Sequence, residues 1–268
     1  MTRRPYALAL LLVGFGLLTS SAAAQVQAPV RLAARFSDEA RLGRSTAVDI
    51  DLSIDHRLPR VTEVRLLTPS GMTLADSRLG IVPCRRPAFE FVNVLNAVVH
   101  GRCPANSLIG KGSATAGLLL NEDAPLFGAA FIELHAGPSV GDKPGLLISA
   151  DTYNPARMQL TYAGYLYVPP AAFGLGLAIE IPSFANLPFD SEIALSDFHL
   201  VVGSPSITYN KVVHGRRVTY HPGGIPLPDR CPRRGFRLRA IVRFADGTRR
   251  TADATVPCPP ARKAAGAA

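Results

Sequence analysis

Apolar and polar residues alternate in short segments along most of the chain. Val48, Ile50, Leu52 and Ile54 are separated by Asp49, Asp51 and Ser53, and the same period of two returns at Phe236, Leu238, Ala240, Val242 and Phe244. Alternation over four to eight residues marks a strand with one buried face. A further strand starts at Val64 and Leu66 and stops at Pro69-Ser70-Gly71. Others are predicted over 109–120, 127–136, 145–153, 158–168, 173–181, 192–202, 207–213, 216–220 and 249–256. The connections carry turn residues, among them Asn154-Pro155, Pro169-Pro170 and Pro222-Gly223-Gly224.

One segment departs from this period. Phe91, Val92, Leu95, Val98 and Val99 recur at helical spacing, which predicts a short helix over about 88–98, between Cys84 and Cys103. Strands every 8–12 residues with so little helix indicate an all-β fold, an antiparallel β-sandwich or partly closed barrel. Residues 46–258 are expected to form a single elaborated β domain, with 182–190 as its best hinge. Residues 25–45 form an extended lead-in with an edge strand near Leu32–Phe36, and 259–268 a disordered tail.

The C-terminal hairpin is the segment that local rules determine best. Ala245-Asp246-Gly247 suits a three-residue loop with Gly247 in the left-handed region. That loop pairs Phe244 with Thr248, Ala240 with Ala252 and Phe236 with Val256, which keeps apolar side chains on one face. On the other face Arg239 meets Asp253, and Arg243 meets Arg249. Like charges opposed across a ladder are unfavourable, so Arg237, Arg243 and Arg249 are candidate ligands for an anion.

Residues 1–24 have the parts of an export signal: Arg3 and Arg4, the apolar run Ala7 to Leu18, and Ala22-Ala23-Ala24. Cleavage is expected before Gln25, leaving a secreted or periplasmic protein that is not transmembrane. In such a compartment Cys84, Cys103, Cys231 and Cys258 are disulfide candidates. Four cysteines allow three connectivities, of which the two local pairs are favoured. The hairpin register leaves about 10 Å between Cys231 and Cys258, since Cys258 falls three residues past its counterpart; a curl at Pro232–Gly235 closes that gap.

The chain carries a net charge of +9, or +7 without Arg3 and Arg4. In an exported protein this favours anionic envelope polymers or a lipid surface over nucleic acid. No nucleophile elbow, phosphate loop or C-x-x-C spacing is present, so no cofactor is indicated. Glu133-x-His135 and Asp197-x-His199 each place an acid and an imidazole on one strand face. Were those strands neighbours, the four would suit zinc or acid–base chemistry; otherwise they are two polar faces in water. Tyr162, Tyr165, Tyr167, Phe173 and Leu177 lie in an apolar stretch without strict alternation, which marks either a core strand or an apolar pocket.

The segment Cys103-Pro104-Ala105-Asn106-Ser107-Leu108-Ile109-Gly110-Lys111-Gly112-Ser113-Ala114 resembles a "CP-x-x-S-x-I-G-x-G-x-A" motif shared by a group of uncharacterised secreted bacterial proteins. Their C-terminal "CP…F-x-F-x-D-G…C" hairpin is matched by Cys231-Pro232, Val242 to Gly247 and Cys258, with Val242 in place of the first aromatic. The resemblance implies a sandwich-like secreted domain and the two local disulfides, and it carries no activity. The expectation is a non-enzymatic binding or scaffold protein of the envelope. The alternatives are a carrier of an apolar ligand and, less favoured, a metal-dependent hydrolase.

Overall fold

The computed structural model describes residues 28–74, 82–85, 89–93, 103–119, 126–152, 158–170, 172–181 and 192–260. The expected signal, the hinge at 182–190 and the tail beyond 260 lie outside these. In chain order the strands are β1 (Val30–Phe36), β2 (Ser45–Thr46), β3 (Val48–Ile54), β4 (Val61–Pro69), β5 (Phe89–Asn93), β6 (Leu108–Leu119), β7 (Leu126–Val140) and β8 (Lys143–Thr152). They continue with β9 (Met158–Tyr167), β10 (Phe173–Glu180), β11 (Glu192–Val202), β12 (Tyr209–Val213), β13 (Arg216–Tyr220), β14 (Ile225–Pro226), β15 (Phe236–Phe244) and β16 (Arg249–Val256). The only helical turn among the described residues is 3₁₀, over Ala105–Ser107.

Eleven strands follow one antiparallel path, β1-β3-β11-β6-β7-β8-β9-β10-β4-β15-β16, and β5 joins the side of β9. The path curls until its two ends lie side by side, β1 against β16. The sheet is therefore a nearly closed barrel. The strand period of two sends one set of side chains inward. Val48, Ile50, Leu52, Ile148, Leu200, Leu238 and Val242 meet there in a single buried core. Burying each such side chain contributes about 1.5–3 kcal/mol. Apolar side chains inside and charged ones outside is the reverse of a lipid-facing barrel. No helix among the described residues is long and apolar enough to cross a membrane.

The hairpin β15–β16 has the expected register, with Phe236 opposite Val256, Arg239 opposite Asp253 and Arg243 opposite Arg249. Gly247 sits at φ +81°, and the Phe244 N–H donates to Thr248 O at 3.0 Å. Gly235 at φ +79° turns the chain, its N–H reaching Pro232 O at 2.9 Å. That curl brings Cys231 and Cys258 into a disulfide with Cα atoms 5.9 Å apart, and Cys84 bonds to Cys103.

The predicted helix at 88–98 is not formed over Phe89–Asn93, which is strand β5, with Phe91 opposite Leu160 of β9; residues 94–98 lie outside the described part. Strand β10 pairs only with Gly164 to Tyr167 of β9. The backbone groups of Met158 to Tyr162 on that side need partners, and the aromatic and β-branched Phe-Glu-Phe-Val run supplies them. Tertiary pairing overrides the helical spacing.

The glycines of the "I-G-x-G-x-A" segment have a packing role on β6. Gly110 stands on its inner side, where an added Cβ would come within 3.4 Å of both Leu134 Cβ and Leu200 Cδ1. A larger side chain there would crowd the core.

Candidate functional site

Tyr165 and Tyr167 project outward from β9, and Phe173 begins β10 at the rim of the same face. Across β10, the register aligns Tyr165 with Ala178 and Arg65, and Tyr167 with Gly176 and Leu67. Beyond β4 it continues to Arg239, Ile241 and Arg243 of β15. The Tyr167 ring lies across Gly176, where a Cβ would sit 2.5 Å from ring carbons. The absence of a side chain at 176 lets the ring lie flat.

Cations and rings interleave on this face. Lys143 Nζ is 4.4 Å from the Tyr165 centroid, Arg65 5.8 Å from Tyr167 and Arg239 5.4 Å from Phe173. The two tyrosine rings are 6.0 Å apart and tilted. Each exposed cation–ring contact contributes about 0.5–1 kcal/mol. The aromatic stretch and the hairpin arginines, separate candidates in the sequence, thus share one surface.

The same geometry alters the expected charge balance. Arg243 faces Arg249, yet its Nε lies 3.2 Å from Glu63, whose other oxygen takes Arg65 at 2.7 Å. Asp253 accepts from both Arg239 and Arg237 at 2.8 Å. Those two guanidinium groups, Arg239 foremost, hold the Asp253 carboxyl down to about 2. Arg237 and Arg243 are therefore paired. Arg249 has no carboxylate within ion-pair distance among the described residues. Glu63 was invisible to the hairpin argument because β4 meets β15 only in the folded chain.

The other members of the apolar stretch point inward. Tyr162 and Leu177 pack against the core, and burial pushes the Tyr162 hydroxyl up to about 12. Leu177 borders an internal cavity of about 50 Å³. Pockets for small ligands are roughly 300–1,000 Å³, so this cavity is well below that size.

The two acid–histidine pairs do not converge. Glu133 and His135 are on β7, Asp197 and His199 on β11, and β6 runs between them, which sets them about 9–10 Å apart. His199 Nε2 instead meets Asp49 Oδ1 at 2.8 Å, and Ser53 donates to Asp197 at 2.5 Å. One potential ligand atom each from Asp49, Asp51 and His199 lies within 4.8 Å of the others. Asp49 is already held by Arg35 at 2.7 Å, so its charge is largely neutralised by the protein.

His135 is buried and makes a different contact, one that sequence reasoning missed. Ser107 Oγ donates to Pro104 O at 2.6 Å, so it accepts from His135 Nδ1 at 2.9 Å. His135 Nε2 is 3.3 Å from Glu133 Oε2. Serine, histidine and glutamate in series are also the components of a hydrolase triad. Here Ser107 is 0% exposed and its proton is committed to a carbonyl, so the group acts as a clamp. Together with the Cys84 N–H bond to Ala136 O at 2.8 Å, it fixes both sides of the first disulfide to β7. The Pro104–Ser107 spacing, one 3₁₀ turn, was the available signal. Ser107→Ala is expected to cost about 1–3 kcal/mol, because a buried ring N–H loses its acceptor. Urea unfolding measures this, and a cost near zero contradicts the clamp.

No family model matches the chain, and no curated protein or solved structure does either.

Proposed function

We propose that the protein is a secreted or periplasmic, non-enzymatic binding protein of the cell envelope. It would engage an anionic envelope polymer through the outer face of β9, β10, β4, β15 and β16. The observation that carries this reading is the set of three cation–ring contacts on one sheet face, beside Arg249, which has no ion-pair partner among the described residues. Exposed aromatic rings suit the apolar faces of polymer units, and the cations suit carboxylate or phosphate groups between them. The disulfides fit an oxidising compartment. A carrier role finds little support in a packed interior, and a metal-dependent hydrolase little in acid–histidine pairs held on separated strands.

The test is titration of the mature protein with isolated anionic envelope polymers, by calorimetry at low and high salt. Binding is expected to weaken as salt rises, because exposed charges are screened. The pair Tyr165→Ala and Arg249→Glu is expected to lower affinity at least tenfold. Unchanged affinity, or binding to anionic phospholipid vesicles with none to polymer, overturns the reading.

A further inference from the structure

A groove of about 490 Å³ runs along the outer surface of β1, β3, β11 and β6. Its volume falls in the range of small-ligand sites. It is centred on β11, five strands from β4 around the barrel by way of β1 and β16. Its centre is therefore distinct from the tyrosines and Phe173, although its edge strand β1 adjoins β16 of the cationic–aromatic face.

Its chemistry differs as well. Arg31, Asp51, Ser113, Thr115, Asp197 and His199 line it. Among the described residues the side chains of Arg31, Asp51, Ser113 and Thr115 make no hydrogen bond within the protein. Asp197 and His199 are held in place by Ser53 and Asp49. The groove thus combines fixed acceptors, a cation and free hydroxyls, with both signs of charge and no net bias toward an anion.

The register adds a second observation. Asp51 pairs with His199, His199 with Ser113 and Ser113 with Phe131 of β7. These four lie in one row across the strands. Ser113 is small, which leaves a slot at the β6 edge of the groove, and Phe131 stands one strand beyond the residues that line it. The two flanking strands are about 9–10 Å apart. Phe131 is 67% exposed, and nothing in the fold requires an aromatic ring in water at that position.

We propose that this slot is a binding site for a neutral hexopyranose unit. Such a ring has an apolar C–H face that can stack on Phe131. Its hydroxyls both donate and accept, as Asp51, Asp197, His199 and Ser113 require. A simple anion would meet two carboxylates, and an apolar ligand would leave these groups unpaired. The site does not depend on the polymer-binding reading of the other face.

The test uses the mature chain, isotopically labelled, titrated with a panel of neutral monosaccharides and oligosaccharides and followed by amide chemical shifts. At least one saccharide is expected to shift the amides of Ser113, Phe131 and His199 together. Phe131→Ala, at an exposed position that leaves the core intact, is expected to weaken that binding at least tenfold. Ser113→Phe, which fills the slot, is expected to abolish it. Tyr165→Ala with Arg249→Glu is expected to leave it unchanged, so failure of the polymer reading remains distinguishable. The proposal is overturned if no neutral saccharide shifts these amides, or if Phe131→Ala leaves the affinity unaltered. It is also overturned if magnesium or calcium shifts them and saccharides do not, which would assign the row to a cation at Asp51 and His199.

Discussion

Phe236→Ala is expected to destabilise the protein by about 3–5 kcal/mol, the cost of removing a fully buried aromatic side chain. Phe236 is 0% exposed. Its ring meets Phe36 edge to face, with centroids 5.2 Å apart. Phe36 ends β1 and Phe236 begins β15, whose partner β16 is the last strand of the path. The pair therefore joins the two ends of the sheet, where no ladder of backbone hydrogen bonds does so among the described residues. Equilibrium urea unfolding measures the loss. Amide exchange is expected to accelerate first in β1 and β16, ahead of β7 and β8. Phe236→Leu, which keeps most of the volume, is expected to cost less and to remain folded if the alanine variant does not. A cost below about 1 kcal/mol for Phe236→Ala, or uniform acceleration of exchange, contradicts this role for the aromatic pair.

The second large effect is expected from the double variant Cys231→Ala and Cys258→Ala. The bridge closes a loop across a sequence separation of 27 residues. Chain-entropy arguments give it about 3.5 kcal/mol. For a domain of this size that corresponds to a fall in Tm of roughly 7–14 °C. The loop enclosed is the β15–β16 hairpin itself. Without the bridge, strands adjoining the open side of the barrel lose their covalent closure, and the curl at Pro232–Gly235 has only its backbone bond to hold it. Differential scanning calorimetry of the oxidised protein and the variant decides the matter. A shift below about 2 °C means that the register alone holds the hairpin.

The elements legible in the sequence were those set by local rules. The register of β15–β16 followed from a single choice of loop, because slipping by one residue would have set Phe244 and Val242 opposite the wrong face. The cysteine pairs followed from chain proximity and from the resemblance, while the hairpin register alone left Cys231 and Cys258 too far apart without the curl at Pro232–Gly235. Most strand positions followed from their period of two and from turn residues between them. What remained hidden depended on which strands are neighbours. The spacing of Phe91, Leu95 and Val98 pointed to a helix, since nothing local shows that β9 has an open side over Met158 to Tyr162. Glu63 could not be matched to Arg243 without knowing that β4 lies beside β15. Glu133 and Asp197 could not be separated without knowing that β6 runs between their strands.

For the candidate sites the sequence supplied residue types and missed their grouping. Tyr165, Tyr167 and Phe173 entered as an apolar cluster and Arg237, Arg243 and Arg249 as an anion site. The barrel merges parts of both and turns Tyr162 and Leu177 into the core. Arg65, Arg239 and Lys143 join them only through strand order. The groove on β11 was anticipated by Asp197 and His199 alone. Phe131 gave no signal, because its exposure is a property of the finished sheet.

The strand count itself has a mechanical consequence. A ring in which every neighbour runs in the opposite direction can close on itself only with an even number of members. The path here has eleven, so β1 and β16 run the same way where they meet. Their backbone groups cannot continue the antiparallel pattern found everywhere else in the wall. The barrel thus keeps one built-in seam, along which, among the described residues, the two strands meet through side chains and not through a backbone ladder.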